Sequence, residues 1–142
     1  MAIPFHSALT HAYHAQKNAL RPRMGSVGLS PGQPKILYYL AGHNNSMQKD
    51  IAIHCDIEPA TVSRILNNME EKGLIERTAA KGNRRAAAIC ITAKGRAANA
   101  RWEEICSEVE QTELHGFTPE EKQAFENYLQ RLYQNFTGRI FD

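Results

Sequence analysis

One stretch of this chain is rich in side chains that can touch a nucleic acid. After Pro59, the residues Ala60, Thr61, Ser63, Arg64, Asn67 and Asn68 fall on one face of a segment with helical spacing. Small hydroxyl and amide groups with a single Arg suit a helix that enters a major groove and meets base edges. The first turn of such a helix also offers backbone N–H groups to a phosphate. A second cluster, Lys81, Asn83, Arg84 and Arg85, follows directly and offers another contact beside the first. The charge around it is strongly sorted. From Arg77 to Arg101 the chain carries Arg77, Lys81, Arg84, Arg85, Lys94, Arg96 and Arg101 and no acid, a local +7, whereas from Glu103 to Glu126 it carries eight Glu against Lys122, a local −7. That sorting predicts a cationic surface on one part of the fold and keeps a polyanion away from the other.

Other chemistries are poorly served. There is no Gly-rich phosphate loop, no Gly-x-Ser-x-Gly and no carboxylate pair flanked by a catalytic His, so no enzyme is expected. A metal needs three or four converging ligands. His11 and His14 are three apart, His43 and His115 fall near helix ends, and no Cys-x-x-Cys or His-x-x-x-His occurs, so neither metal nor cofactor is expected. Cys55, Cys90 and Cys106 are odd in number and widely spaced, which suits reduced thiols in a cytoplasm. Buried structural thiols are the plainer reading, and Cys55 is the best placed of the three for a sensor. Residues 1–16 lack a charged segment followed by an apolar one, and no apolar run is long enough to span a bilayer. A cytoplasmic protein with no membrane partner is the expectation.

The elements that must position these residues follow from periodicity. Ile3 to about Leu20 reads as a helix, broken by Arg21-Pro-Arg-Met-Gly. A second helix is expected from Ser30 as N-cap, with Pro31 at its first position, Gln33 closing a capping box and Ile36, Leu37 and Leu40 as its apolar stripe. Ser46 is expected to cap a short helix, Met47 to Cys55, and Pro59 to open another that runs to Lys72, with Gly73 behind it. Ala52, Ile57 and Val62, each five apart, give the pair helix-turn-helix spacing, with Ile65, Leu66 and Met69 continuing the buried face. Two strands, 74–78 and 86–92, flank a basic loop at 79–85. A long helix from Ala93 to about Leu114 carries the seam Ala98, Trp102, Ile105 and Val109. Thr118-Pro-Glu-Glu then caps a last helix with an apolar stripe of Phe125, Tyr128, Leu129, Leu132, Tyr133 and Phe136. The fold class is mainly α with a small β-hairpin: a winged helix-turn-helix flanked by long helices that would pair two copies.

The pieces Leu29-Ser-Pro-Gly-Gln-Pro-Lys-Ile-Leu, Asp50-Ile-Ala, Pro59 through Arg77, Asn83-Arg-Arg and Ile91-Thr-Ala-Lys-Gly-Arg together resemble the MarR family of bacterial regulators. The resemblance implies one domain over 1–142, with dimerisation helices at 1–28 and 100–142 and the winged region at 29–99. It implies a homodimer on a pseudo-palindromic double-stranded DNA operator, with Pro59, Ala60, Thr61, Ser63, Arg64, Asn67, Lys81, Asn83, Arg84 and Arg85 as DNA contacts. Repression relieved by a small phenolic or anionic effector is implied as well, with thiol redox control as the alternative and a protein-binding winged helix behind it. The peroxide-sensing branch of the family keeps its reactive Cys in the first helix, where this chain has none. Family ligands often sit between the dimer helices and the winged region, which points to His14, Met24, Tyr38 and His43. One departure stands out: the family's wing usually reads Asp-x-Arg, and here Asn83 stands in place of the Asp while Arg85 is kept. An amide keeps a hydrogen bond but not the ion pair that holds the wing.

Overall fold

Helix α1, Phe5–Leu20, buries none of its residues. The expected break after it is a 3-10 helix, Arg21–Val27, with Pro22 at its start and Gly28 in the left-handed region (φ 73°) at its end. A computed structural model describes residues 2–80 and 83–141, and the side chains of these apart from 79, 80 and 83–86.

Helix α2 runs from Gln33 to Gly42 and so begins later than its sequence pattern suggests. The Gln33 N–H donates to the Ser30 carbonyl at 3.0 Å, which makes Ser30–Gln33 a turn. Only half of the expected capping box forms. The Ser30 N–H donates to Gln33 Oε1 at 3.0 Å, but the Ser30 hydroxyl accepts from Lys72 Nζ at 3.1 Å instead of capping the helix. Gly32 (φ 88°) turns the chain into α2 through a left-handed conformation that L side chains rarely adopt.

Ser46 is likewise not an N-cap. Ser46–Met47 form a short strand, β1, and the Ser46 hydroxyl donates to the His43 carbonyl. Helix α3 follows as Gln48–His54 and α4 as Pro59–Glu71. Strands β2, Ile75–Ala80, and β3, Asn83–Ile91, pair antiparallel from Ile75↔Ile91 to Ala80↔Asn83. Most of the segment read as a basic loop therefore continues the ladder. β1 pairs with β3 through Ser46↔Ile89 and Met47↔Ala88, so the hairpin is a three-stranded sheet of order β1-β3-β2. Helix α5 spans Ala93–Glu113 and α6 Pro119–Thr137.

The chain divides into two compact units, residues 1–106 and 107–142. The core of the first joins Ile36, Leu37, Leu40, Ile51, Val62, Leu66, Met69, Ile75, Ile89 and Trp102. It is what holds α4 and the sheet in place. In the second unit, Thr118 Oγ1 accepts from the Glu121 N–H while the Glu121 carboxylate accepts from the Thr118 N–H, a complete capping box. Helix α6 buries no residue, and Tyr128 and Phe136 are 63% and 85% exposed. Among the described residues no helix is long and apolar enough to cross a membrane.

Candidate nucleic-acid interface

The helix-turn-helix packs as its spacing predicts. Ala52 is buried on α3, Val62, Leu66 and Met69 are fully buried on α4, and Ile57 in the turn packs against them. Three buried positions at helical spacing settle which face of α4 looks outward. Pro59, Ala60, Arg64 and Asn67 are exposed, and Thr61 and Ser63 are partly buried. No side chain caps the start of α4, and Glu58 before it is extended. Its first-turn N–H groups stay available to an anion.

Two hydrogen bonds refine this face. Gln48 Nε2, at the start of α3, donates to Ser63 Oγ and ties the two helices together. Asn68, read with the groove face, instead presents its Oδ1 to Gln33 Nε2 at 2.7 Å. Its Oδ1 is committed to Gln33, while the residue itself stays exposed.

Three cations of the basic run are engaged by partners within the fold. Arg77 pairs with Glu70 of α4 at 2.8 Å. Lys94 Nζ donates to the Lys72 carbonyl at the C-terminus of α4, where a cation complements the helix dipole. Arg101 donates to the Ser26 carbonyl at 3.2 Å. The backbone of Asn83, Arg84 and Arg85 lies in β3; their side chains, and Lys81 altogether, fall outside the described residues.

Beside the outward face of α4 lies a cleft of about 830 Å3. One wall is Thr61, Arg64, Ile65 and Asn68, and facing it are Tyr13, Lys17 and Leu20 of α1, with Arg21 and Met24 beyond. Of the four ligand candidates, Met24 lines this cleft. The other three lie elsewhere: His14 Nε2 is 3.1 Å from Asn18 Nδ2, Tyr38 is exposed, and His43 stacks on Tyr39 with ring centroids 4.5 Å apart. Tyr13, Lys17 and Arg21 also line the cleft. Their four-residue spacing puts an aromatic ring and two cations on one stripe, a signal present in the sequence.

The three thiols are not joined in disulfides, and Cys55 is buried. Its Sγ donates to the Lys35 carbonyl at 3.7 Å, and Cys90 Sγ donates to Asn45 Oδ1 at 2.7 Å. Among the described residues no three His, Cys, Asp or Glu converge on a metal site.

A sequence profile described as the MarR family matches residues 29–87, which hold both motif helices and the first strand of the hairpin. A solved transcriptional regulator, PA3341, is 29% identical, with a TM-score of 0.80 over 96% of this chain and 100% of that one. Residues 29–87 carry a MarR-family domain. The chain is also 28% identical over 107 residues to a transcriptional regulatory protein for the hcr operon of Thauera aromatica, covering 75% of itself and 64% of that relative's length. An organohalide-sensing transcriptional regulator, solved in its 2,4-dichlorophenol-bound form, is 26% identical with a TM-score of 0.78 over 92% of this chain and 78% of that one.

Proposed function

We propose that this MarR-family protein binds double-stranded DNA as a homodimer at a pseudo-palindromic operator and represses transcription until a small anionic or aromatic molecule occupies the cleft. The observation that carries the DNA reading is the outward face of α4: exposed Arg64 and Asn67, with Thr61 and Ser63 beside them, on a helix whose start no side chain caps. Such a helix can lay its N-terminal half in a major groove, with β2 and β3 reaching the backbone or minor groove alongside. In this reading α4 contributes Pro59, Ala60, Thr61, Ser63, Arg64 and Asn67, and the hairpin contributes Lys81, Asn83, Arg84 and Arg85.

Pairing is supported by the apolar side chains left on α1 and α6, among them Phe5, Tyr13, Phe125, Tyr128 and Phe136. Large exposed apolar faces mark interaction sites. Residues 1–28 and 100–142 are the proposed dimerisation helices around a winged region at 29–99. The effector reading rests on the cleft, where Tyr13 can stack on a ring and Lys17, Arg21 and Arg64 can hold an acid. Arg64 belongs to both surfaces, so an anion in the cleft draws on a group that DNA also needs. The relative bound to a chlorinated phenol supports the same ligand class.

Selection of bound duplexes from a random pool tests the reading, followed by a salt titration on the selected site. With about 6–10 phosphate contacts per dimer, affinity is expected to fall about 10³–10⁵-fold between about 50 and 200 mM salt. A protein that selects no sequence, or binds with a flat salt dependence, sinks it.

A further inference from the structure

We infer that Gln33 is a positioning residue for the recognition helix: its buried carboxamide sets the roll of α4 and so the protein's discrimination between half-site sequences. The inference rests on α4 reading DNA. Gln33 is 2% exposed and is the one buried polar side chain among the described residues. Its Oε1 accepts from the Ser30 N–H at 3.0 Å and from Lys72 Nζ at 3.1 Å, while its Nε2 donates to Asn68 Oδ1 at 2.7 Å. Lys72 Nζ also donates to the Gly28 carbonyl at 3.2 Å and to Ser30 Oγ at 3.1 Å. Both acceptor sites of the amide oxygen are thus filled, and so are all three donors of the ammonium. The orientation of the amide is forced, since a reversed one would aim its N–H groups at two donors.

The geometry does more than satisfy a buried amide. Asn68 and Lys72 are one turn apart on α4, so Gln33 grips the helix at two points along its axis. The apolar contacts of Val62, Leu66 and Met69 carry no directional preference and tolerate a small rotation of α4. Hydrogen bonds weaken steeply when misaligned, so the two grips do not tolerate it. Asn68 also stands one turn after Arg64, the Arg on the outward face, and any roll at Asn68 swings that guanidinium across the groove. An apolar residue of the same volume would fill the site without the cost of desolvating an amide. The amide therefore serves the direction of α4 as well as its packing.

The test compares wild type with Gln33→Met, Asn68→Ala, their double variant and Gln33→Glu. Each is titrated with the duplex that wild type selects from a random pool and with single-mismatch versions of it. Asn68→Ala, which removes one directional hydrogen bond, is expected to lower the ratio of matched to mismatched affinity by roughly 3- to 10-fold, and Gln33→Met, which removes that bond and those to Ser30 and Lys72, by at least as much. The double variant is expected to lose no more than Gln33→Met alone, because the bond to Asn68 is already gone in that variant. Gln33→Glu keeps acceptors for Ser30 and Lys72, and Asn68 can turn its amide to donate, so it restores most of the discrimination. Thermal unfolding is followed in parallel. If Gln33→Met does not fold, Asn68→Ala at its exposed position decides the matter. Wild-type discrimination in Asn68→Ala, or losses that multiply in the double variant, overturns the inference. A wild type that selects no duplex overturns the DNA reading itself and removes what Gln33 would position, which is a different failure from variants that select as wild type does.

Discussion

Arg64 stands at a corner of α4, between the outward face that holds Ala60, Ser63 and Asn67 and the cleft wall that holds Thr61, Ile65 and Asn68. Its planar guanidinium can pair bidentately with a guanine edge or clamp a phosphate. Arg64→Ala is expected to cost about 1–3 kcal/mol of DNA binding, concentrated at one or two half-site positions if the contact is to a base. Selection from a random pool checks it, and a uniform loss across all sequences would assign Arg64 to phosphate. Gly95 is a different kind of constraint. It sits in the first turn of α5, where an added Cβ would overlap the Leu74 carbonyl oxygen and crowd Ile91. Gly95→Ala is expected to destabilise the fold by about 1–3 kcal/mol, because neither the backbone of Leu74 nor the core can yield cheaply. Denaturant unfolding measures it, and an unchanged midpoint would show that α5 shifts freely.

At the scale of elements, two near-identical sequence signals had different outcomes. Thr118-Pro-Glu-Glu and Ser30-Pro-Gly-Gln both read as capping boxes, and only the first closes. The second is diverted because Lys72, 42 residues away, takes the Ser30 hydroxyl. Local pattern cannot report a competitor that only folding brings near. Thr118→Ala is accordingly expected to cost about 1 kcal/mol, read as a lower unfolding midpoint. For the hairpin, Arg85→Ala is expected to weaken binding to most sequences and flatten the preference for A·T in the flanks, leaving the central half-site preference intact. Asn83→Asp is expected to order the wing through a restored ion pair without abolishing binding. Sequence selection on both variants checks this, and an Arg85→Ala protein with unchanged affinity and flank preference would mean that the wing does not touch DNA.

For the whole molecule, the decisive fact is how much apolar surface the single chain leaves uncovered. α1 and α6 each bury no residue, although α6 carries Phe125, Tyr128, Leu129, Leu132, Tyr133 and Phe136. An obligate interface places its apolar residues in this way. Replacing Leu132 and Phe136 with Glu is expected to give monomers or insoluble chain, since unpaired charge in an apolar interface is costly. Sedimentation at micromolar concentration measures it, and a wild-type monomer there would refute the pairing.

The sequence by itself determined the order of helices α1–α6 and of the β2–β3 hairpin and the buried face of the helix-turn-helix, because these rest on spacings within a few residues of each other. Ala52, Ile57 and Val62 or the stripe of α6 can be read without knowing what covers them. It also holds the stripe Tyr13, Lys17 and Arg21 that lines the cleft. Tertiary structure alone decided the third strand, since two residues carry no period and Ser46–Met47 become β1 only by meeting β3. It alone split the basic run, sending Arg77 to Glu70, Lys94 to Lys72 and Arg101 to Ser26. It alone turned Asn68 inward to Gln33, 35 residues away. Each of these is a hydrogen bond or ion pair between distant parts of the chain, and its partner is chosen by how the core packs rather than by the neighbours in sequence.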